Sequence, residues 1–194
     1  GITTDGNNLY VADFNNHTIR KIVISTGAVT TLAGTAGTSG STDATGTSAM
    51  FYSPTGITTD GNNLYVADNS NHTIRKIVIS TGAVTTLAGT AGTSGSTNGT
   101  GTSASFFRPT GITTDGTNLY VVEYNVNLIR KIVISTAVVT TFADTGTSAE
   151  SYNVPLGITT DGTNLYVAQM GSHKIQKIVI SSGVVTTIAG SGTS

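Results

Sequence analysis

The hexapeptide Gly-Ile-Thr-Thr-Asp-Gly occurs four times, beginning at Gly1, Gly56, Gly111 and Gly157. Each copy leads the same succession of apolar, basic and threonine-rich segments. One supersecondary unit recurring about every 50 residues is the signature of a propeller, a solenoid or an array. In the first copy the hexapeptide is a short β-prone piece ending in Asp-Gly, a strong turn signal. Residues 9–13 then read as a second strand, 14–17 as a hairpin loop, 18–24 as a third strand, 25–27 as a turn and 28–34 as a fourth strand. Four short antiparallel strands joined by tight turns make one propeller blade. No stretch carries a sustained 3.6-residue period, so helices should be scarce. The expectation is an all-β chain: a β-propeller of four-stranded antiparallel blades, with four blades in a single domain. The blades fall at 1–34, 56–89, 111–143 and 157–190, with connections at 35–55, 90–110 and 144–156.

The connections are rich in Gly, Ser and Thr, and each ends on an aromatic followed by proline. These endings are Phe51-Tyr52-Ser53-Pro54, Phe106-Phe107-Arg108-Pro109 and Tyr152-Asn153-Val154-Pro155. The aromatic reads as an anchor packed between neighbouring blades, and the proline as setting the start of the next inner strand. Within the second unit, residues 64–68, Asn71-His72-Thr73-Ile74-Arg75-Lys76-Ile77 and 84–89 resemble the NHL repeat, as does the aromatic-x-x-Pro-x-Gly-Ile before them. That family is named for an Asn-His-Leu triplet. Here Asn16-His17 and Asn71-His72 are followed by Thr, the third unit has Val126-Asn127-Leu128, and the fourth has Ser172-His173-Lys174. The resemblance covers all four units. It implies a β-propeller, most often of six blades, used chiefly for binding proteins or other ligands, with a minority of lyases.

Composition narrows the partners. Net charge is −1 and charged residues make up 10%, against about 25% in ordinary soluble domains. The basic residues fall mostly as Arg20-Lys21, Arg75-Lys76 and Arg130-Lys131, one pair in each of the first three repeats. That is a structural spacing and no basic stripe for phosphates, so nucleic acid is not an expected partner. The absence of cysteine removes disulfides, thiol catalysis and zinc–thiolate sites. No apolar run approaches the ~18 residues of a membrane span, so no membrane insertion is expected. The chain opens on a repeat without an initiator Met or signal peptide, and reads as a mature segment or a piece of something longer. Low charge with abundant Thr, Ser and Gly suits an extracellular or cell-surface protein of bacterial type.

Three constellations could carry chemistry. His17, His72 and His173 hold equivalent places and could bind a metal if they converged. Hairpin loops do not converge on a propeller axis, so each imidazole is expected to bond and pack within its own loop. Asp13, Asp68 and Glu123 precede Arg20, Arg75 and Arg130 by seven residues, while the fourth unit has Gln169 and Gln176 in those places. The joint loss points to a structural pair inside each blade, mostly exposed and contributing about 0.5 kcal/mol. Asp5, Asp60, Asp115 and Asp161 end the inner strands and are the candidate metal ligands. Crowded at one channel mouth they would attract a hard cation such as Ca2+; as turn residues they would bond the backbone two residues on. Of the paired inner-strand threonines, one should face the channel and the other the blade packing. The glycosylation patterns at Asn16, Asn71 and Asn98 arise easily in a Thr-rich chain.

Residues 1–42 and 56–97 differ only at Phe14/Asn69 and Asn15/Ser70. Such sameness argues against catalysis, which needs different residues doing different jobs around one substrate. No catalytic or cofactor-binding residues are assigned. Divergence concentrates in units three and four, making Tyr124, Met170 and Lys174 the ligand-binding candidates. The expected function is a non-catalytic binding or scaffold propeller, meeting a protein or glycan through loops at one mouth. It could also be a fragment or a self-assembling partial propeller, and the alternative is a metal-dependent lyase. With no spare strand to clasp the ring shut, a homodimer closing an eight-bladed ring is the favoured assembly.

Overall fold

A computed structural model of the chain describes residues 1–124, 126–144 and 154–191. Blade one comprises β1 (Ile2–Thr4), β2 (Asn8–Asp13), β3 (Thr18–Val23) and β4 (Val29–Ala33). Blade two has β5 (Pro54–Thr59), β6 (Asn63–Asp68), β7 (Thr73–Val78) and β8 (Ala83–Ala88). A short β9 (Gly99–Thr100) precedes blade three, which has β10 (Pro109–Thr114), β11 (Asn118–Glu123), β12 (Leu128–Val133) and β13 (Val138–Asp144). Blade four has β14 (Pro155–Thr160), β15 (Asn164–Gln169), β16 (Lys174–Val179) and β17 (Val185–Ala189). Strands within each blade pair antiparallel in chain order, giving the four-bladed propeller that the repeats predicted. The described helices are short 3-10 turns, and none is long and apolar enough to cross a membrane.

Inner strands β5, β10 and β14 begin at the connection proline, two residues ahead of the hexapeptide. A register shift between Pro54 and Ile57 follows, repeated in blades three and four. Proline suits the first residue of a strand that borders the channel, where no partner needs its missing N–H.

The second strand of each blade is apolar on both faces, and in blades two and three both faces are covered. Tyr10 and Ala12 point to the front, toward the next blade. There they join Ile19 and Ala33 against the back of blade two, which presents Ile57, Leu64, Val66, Ile77 and Val84. The same two sets of positions meet between blades two and three and again between three and four. The aromatic anchors sit in these seams, Phe51 in the first and Phe106 in the second, both fully buried. Tyr152, the third expected anchor, lies outside the described residues.

The connections are tethered along their length. Ala44 accepts from Val84 N–H and Gly46 donates to Gly82, so the first connection runs along the outer edge of blade two. In blade three the matching stretch is β9, which pairs with β13 as a fifth strand. Each of these connections thus supplies the outermost piece of the blade it leads into, a clasp that the strand count alone did not reveal.

Inner strands approach so closely that only glycine fits between them. A Cβ on Gly111 would lie 2.6 Å from the carbonyl oxygen of Leu156 in the next blade, and one on Gly56 would strike the oxygen of Thr110. At Gly157 it would meet only Ala168 of its own blade, at an ordinary 3.8 Å. Gly111→Ala should therefore destabilise the chain by about 1–3 kcal/mol in urea unfolding, whereas Gly157→Ala should stay within about 0.5 kcal/mol of the parent.

Candidate functional site

Hairpin topology sorts the loops between two ends of the propeller. The Asp-Gly turns and the turns before the outer strands share one end. The loops after each second strand share the other end with the connections.

At the Asp-Gly end, each of the four carboxylates bonds within its own hairpin. Asp5 accepts the N–H groups of Asn7 and Asn8 at 2.9 and 2.7 Å, the Asn8 side-chain amide, and the Tyr10 hydroxyl at 2.8 Å. Asp60, Asp115 and Asp161 repeat this arrangement with Tyr65, Tyr120 and Tyr166. The Asn8 amide and then the Tyr10 hydroxyl hold the Asp5 carboxyl well below the usual carboxylate range. Burial, and after it the bond to Asp5, pushes the Tyr10 hydroxyl up to about 12. Each carboxylate is spent on its own turn, as turn chemistry requires. Among the described residues no group of three or more His, Asp or Glu is placed to hold a metal.

The inner strands of all four blades line a channel cavity of about 460 Å³. Thr3, Thr58, Thr113 and Thr159 face it. The second threonine of each pair turns back to its own hairpin, where Thr59 Oγ1 donates to the Asn63 carbonyl and accepts from Gly61 N–H. It does not enter the blade packing that the sequence suggested.

At the connection end His17 and His72 act between blades and not within their own loops. His17 holds the left-handed conformation at φ 57°, and its Nδ1 accepts the Ser53 N–H from the next connection at 3.1 Å. His72, at φ 61°, accepts the Arg108 N–H at the same distance. Accepting at Nδ1 requires a neutral ring. Burial, and after it the nearby Arg108 charge, lowers the His72 pKa below its ordinary value. Blade three has Asn127 there at φ 56°, a residue that also tolerates this conformation.

The acid–arginine pairs depart furthest from expectation. Asp13 and Arg20 are 3.9 Å apart and partly exposed, but Asp68–Arg75 at 3.0 Å and Glu123–Arg130 at 2.9 Å have fully buried side chains. What buries them is the incoming connection. Arg75 donates to the carbonyls of Met50 and Thr42 and to Asp43, and lies 5.1 Å above the Phe51 ring. Asp68 accepts from Tyr52 N–H and from the Asn71 amide. Arg130 grips Thr97, Asn98 and Ser105 in the same way over Phe106. Burial pushes the Asp68 and Glu123 carboxyls up, opposed by these donors and by the arginines. In blade four Gln169 donates to Gln176 at 3.1 Å, behind a shorter connection. Asn71 and Asn98, both in glycosylation patterns, are taken up in these contacts.

Met170 and Lys174 come together on the front of blade four, lining a cleft of about 400 Å³ with Leu156, His173, Ile175 and Gly190. Tyr124 is elsewhere, in the turn after β11, its N–H bonded to the Arg108 carbonyl. Phe14, Asn69, Tyr124 and Met170 nonetheless occupy one repeat position, the first residue after the second strand. Phe14 and Met170 there, and Tyr52 in the adjoining connection, are exposed. Aligning the four copies on Asp13, Asp68, Glu123 and Gln169 would have disclosed this shared position from sequence.

The NHL repeat family matches at residues 1–22 and 51–77. NHL repeat-containing protein 2 of Bos taurus is 35% identical over 144 residues, covering 69% of this chain; the chain spans 20% of that relative's length. Among solved structures, a nidogen/laminin complex superposes with a TM-score of 0.70 at 16% identity, over 97% of this chain and 61% of that one. Virginiamycin B lyase from Staphylococcus aureus superposes at 0.62 with 19% identity, over 97% and 53% of the two chains. At these identities the structural likenesses establish the fold alone.

Arg75→Ala strands a buried carboxylate and should cost about 3–5 kcal/mol in chemical unfolding, while Arg20→Ala should cost about 1 kcal/mol or less. A depressed histidine pKa contributes stability that is present above the unfolded value of 6.5 and lost as pH falls through the lower folded value. His72→Asn, which keeps a residue suited to the left-handed conformation, should therefore reduce the loss of thermal stability between about pH 7 and 5.

Proposed function

The chain belongs to the NHL-repeat family, and on that premise we propose that it is a non-catalytic binding propeller presenting the connection end of its blades to a protein or glycan. The observation that carries this reading is where the repeats differ. Across residues 1–42 and 56–97 the two differences are adjacent, at Phe14/Asn69 and Asn15/Ser70, and the first of these positions becomes Tyr124 and Met170 in the later blades. A near-invariant frame with large side chains varied at one loop position suits recognition, because loops on a rigid scaffold carry binding. Phe14, Tyr52 and Met170 are exposed on the same end of the molecule, and exposed aromatics give contact area at low entropic cost. The charged positions common to the repeats support the reading from the other side, since turns and connections engage Asp5, Asp60, Asp68, Glu123, Arg75 and Arg130. Low charge and high Thr, Ser and Gly content favour an extracellular setting.

The purified chain, applied to a glycan array and to a displayed-peptide library, should return ligands that depend on this end. The triple variant Phe14→Ala, Tyr124→Ala, Met170→Ala should weaken them at least about tenfold, with Thr58→Val, Thr113→Val in the channel leaving affinity unchanged. Retained binding in the triple variant with loss in the channel variant would place the ligand in the channel and refute the proposal.

A further inference from the structure

The first two seams between blades are each closed by a back face and by the segment leading into the next blade. In the first seam the ring of Phe51 lies so near Gly34 that a Cβ there would be 3.2 Å from it, and in the second Phe106 stands 3.1 Å from a Cβ on Gly89. Two residues after each ring, Ser53 and Arg108 donate their N–H to His17 and His72. The prolines that follow, Pro54 and Pro109, start the inner strands. Aromatic-x-x-Pro is thus a docking element, and its receptor is the front face of the preceding blade: an alanine pair, an isoleucine, a left-handed histidine and a glycine at positive φ.

Blade four carries every part of that receptor. Ala168, Ile175 and Ala189 match Ala12, Ile19 and Ala33; His173 has φ 53° and Gly190 has φ 88°. Here the parts surround the 400 Å³ cleft. Ile175 is 36% exposed, whereas Ile19, Ile74 and Ile129 are completely covered. We propose that this cleft is a binding site for an aromatic-x-x-Pro segment leading into a further NHL blade. The aromatic ring would lie against Gly190 and Ile175, and the N–H of the residue before proline would be accepted by His173 Nδ1. The two occupied receptors in the same molecule supply the chemistry of the ligand. A second copy of the chain is a poorer occupant, because Phe51 and Phe106, its described anchors, are already seated in their own seams. Leu156 replaces the threonine that in blades two and three bonds the next inner strand through Thr55 and Thr110, so apolar contact must carry more of the affinity at this seam.

The test titrates the isotope-labelled chain with the peptide Ser-Ala-Met-Phe-Tyr-Ser-Pro-Thr, the sequence of residues 48–55. Saturable shifts of the Ile175 methyl groups are expected. Replacing the peptide's Phe with Ala should weaken binding about tenfold or more, the factor that burial of one aromatic side chain supplies. Ile175→Glu, at a partly exposed position that tolerates charge, should abolish the shifts, and His173→Ala should weaken them while leaving the fold intact by circular dichroism. Absence of shifts at millimolar peptide, shifts centred on Ile2 and Val29 instead, or full binding by Ile175→Glu would overturn the proposal. So would a dimeric chain in which Ile175 is covered without peptide, since the occupant would then be a second copy.

Discussion

A four-stranded antiparallel sheet with apolar residues on both faces must cover both faces or pay the cost of exposing them to water. Every blade here has that character, because Leu64 and Val66 point one way and Tyr65 and Ala67 the other. The seam between blades is therefore the constraint from which the rest follows. It requires glycine where inner strands touch, a short front-face alanine where an aromatic ring must enter, and a connection long enough to bring that ring from the outer edge back to the channel.

The buried acid–arginine pairs are part of the same requirement. A connection rich in Gly, Ser and Thr has little apolar surface with which to hold itself down. Arg75 solves this by donating to three points along the first connection while its guanidinium covers Phe51. Asp68 supplies the countercharge and accepts a further backbone N–H. Where the connection is short, ahead of blade four, the charges give way to Gln169 and Gln176, which bond to each other. Charge, anchor and connection length vary as one unit.

The fold was legible because hexapeptide, hairpin and outer strand recur with the same turn residues, so errors in one copy are corrected by the others. The anchoring role of Phe51 and Phe106 was legible as well, from their recurrence before proline. The burial of Arg75 was not. A seven-residue spacing places the acid and arginine on one face of a hairpin, but what covers that face is a segment 25 and 33 residues away in sequence. The histidines were misplaced for the same reason, as the partner of His17 is 36 residues on. Spacing within a repeat reports local contacts; contacts between a repeat and its neighbour's connection leave no local pattern. The common position of Phe14, Asn69, Tyr124 and Met170 was open to inspection, yet divergence drew attention to whole segments and away from one column.

Blades two and three each share two seams, while blades one and four share one. Ile2 and Val29 on the back of blade one are 60% and 52% exposed, against 4% and 2% for Ile57 and Val84 in the next blade. In nearest-neighbour terms the described residues form four units joined by three couplings, and stability in such arrays is a sum of unit and coupling contributions. Cooperativity is then graded along the chain even though the first two units are almost the same in sequence. On that basis the slowest amide exchange is expected in β6, β7, β11 and β12, with the end units opening first. Two nearly identical blades should thus differ in lifetime from their position alone.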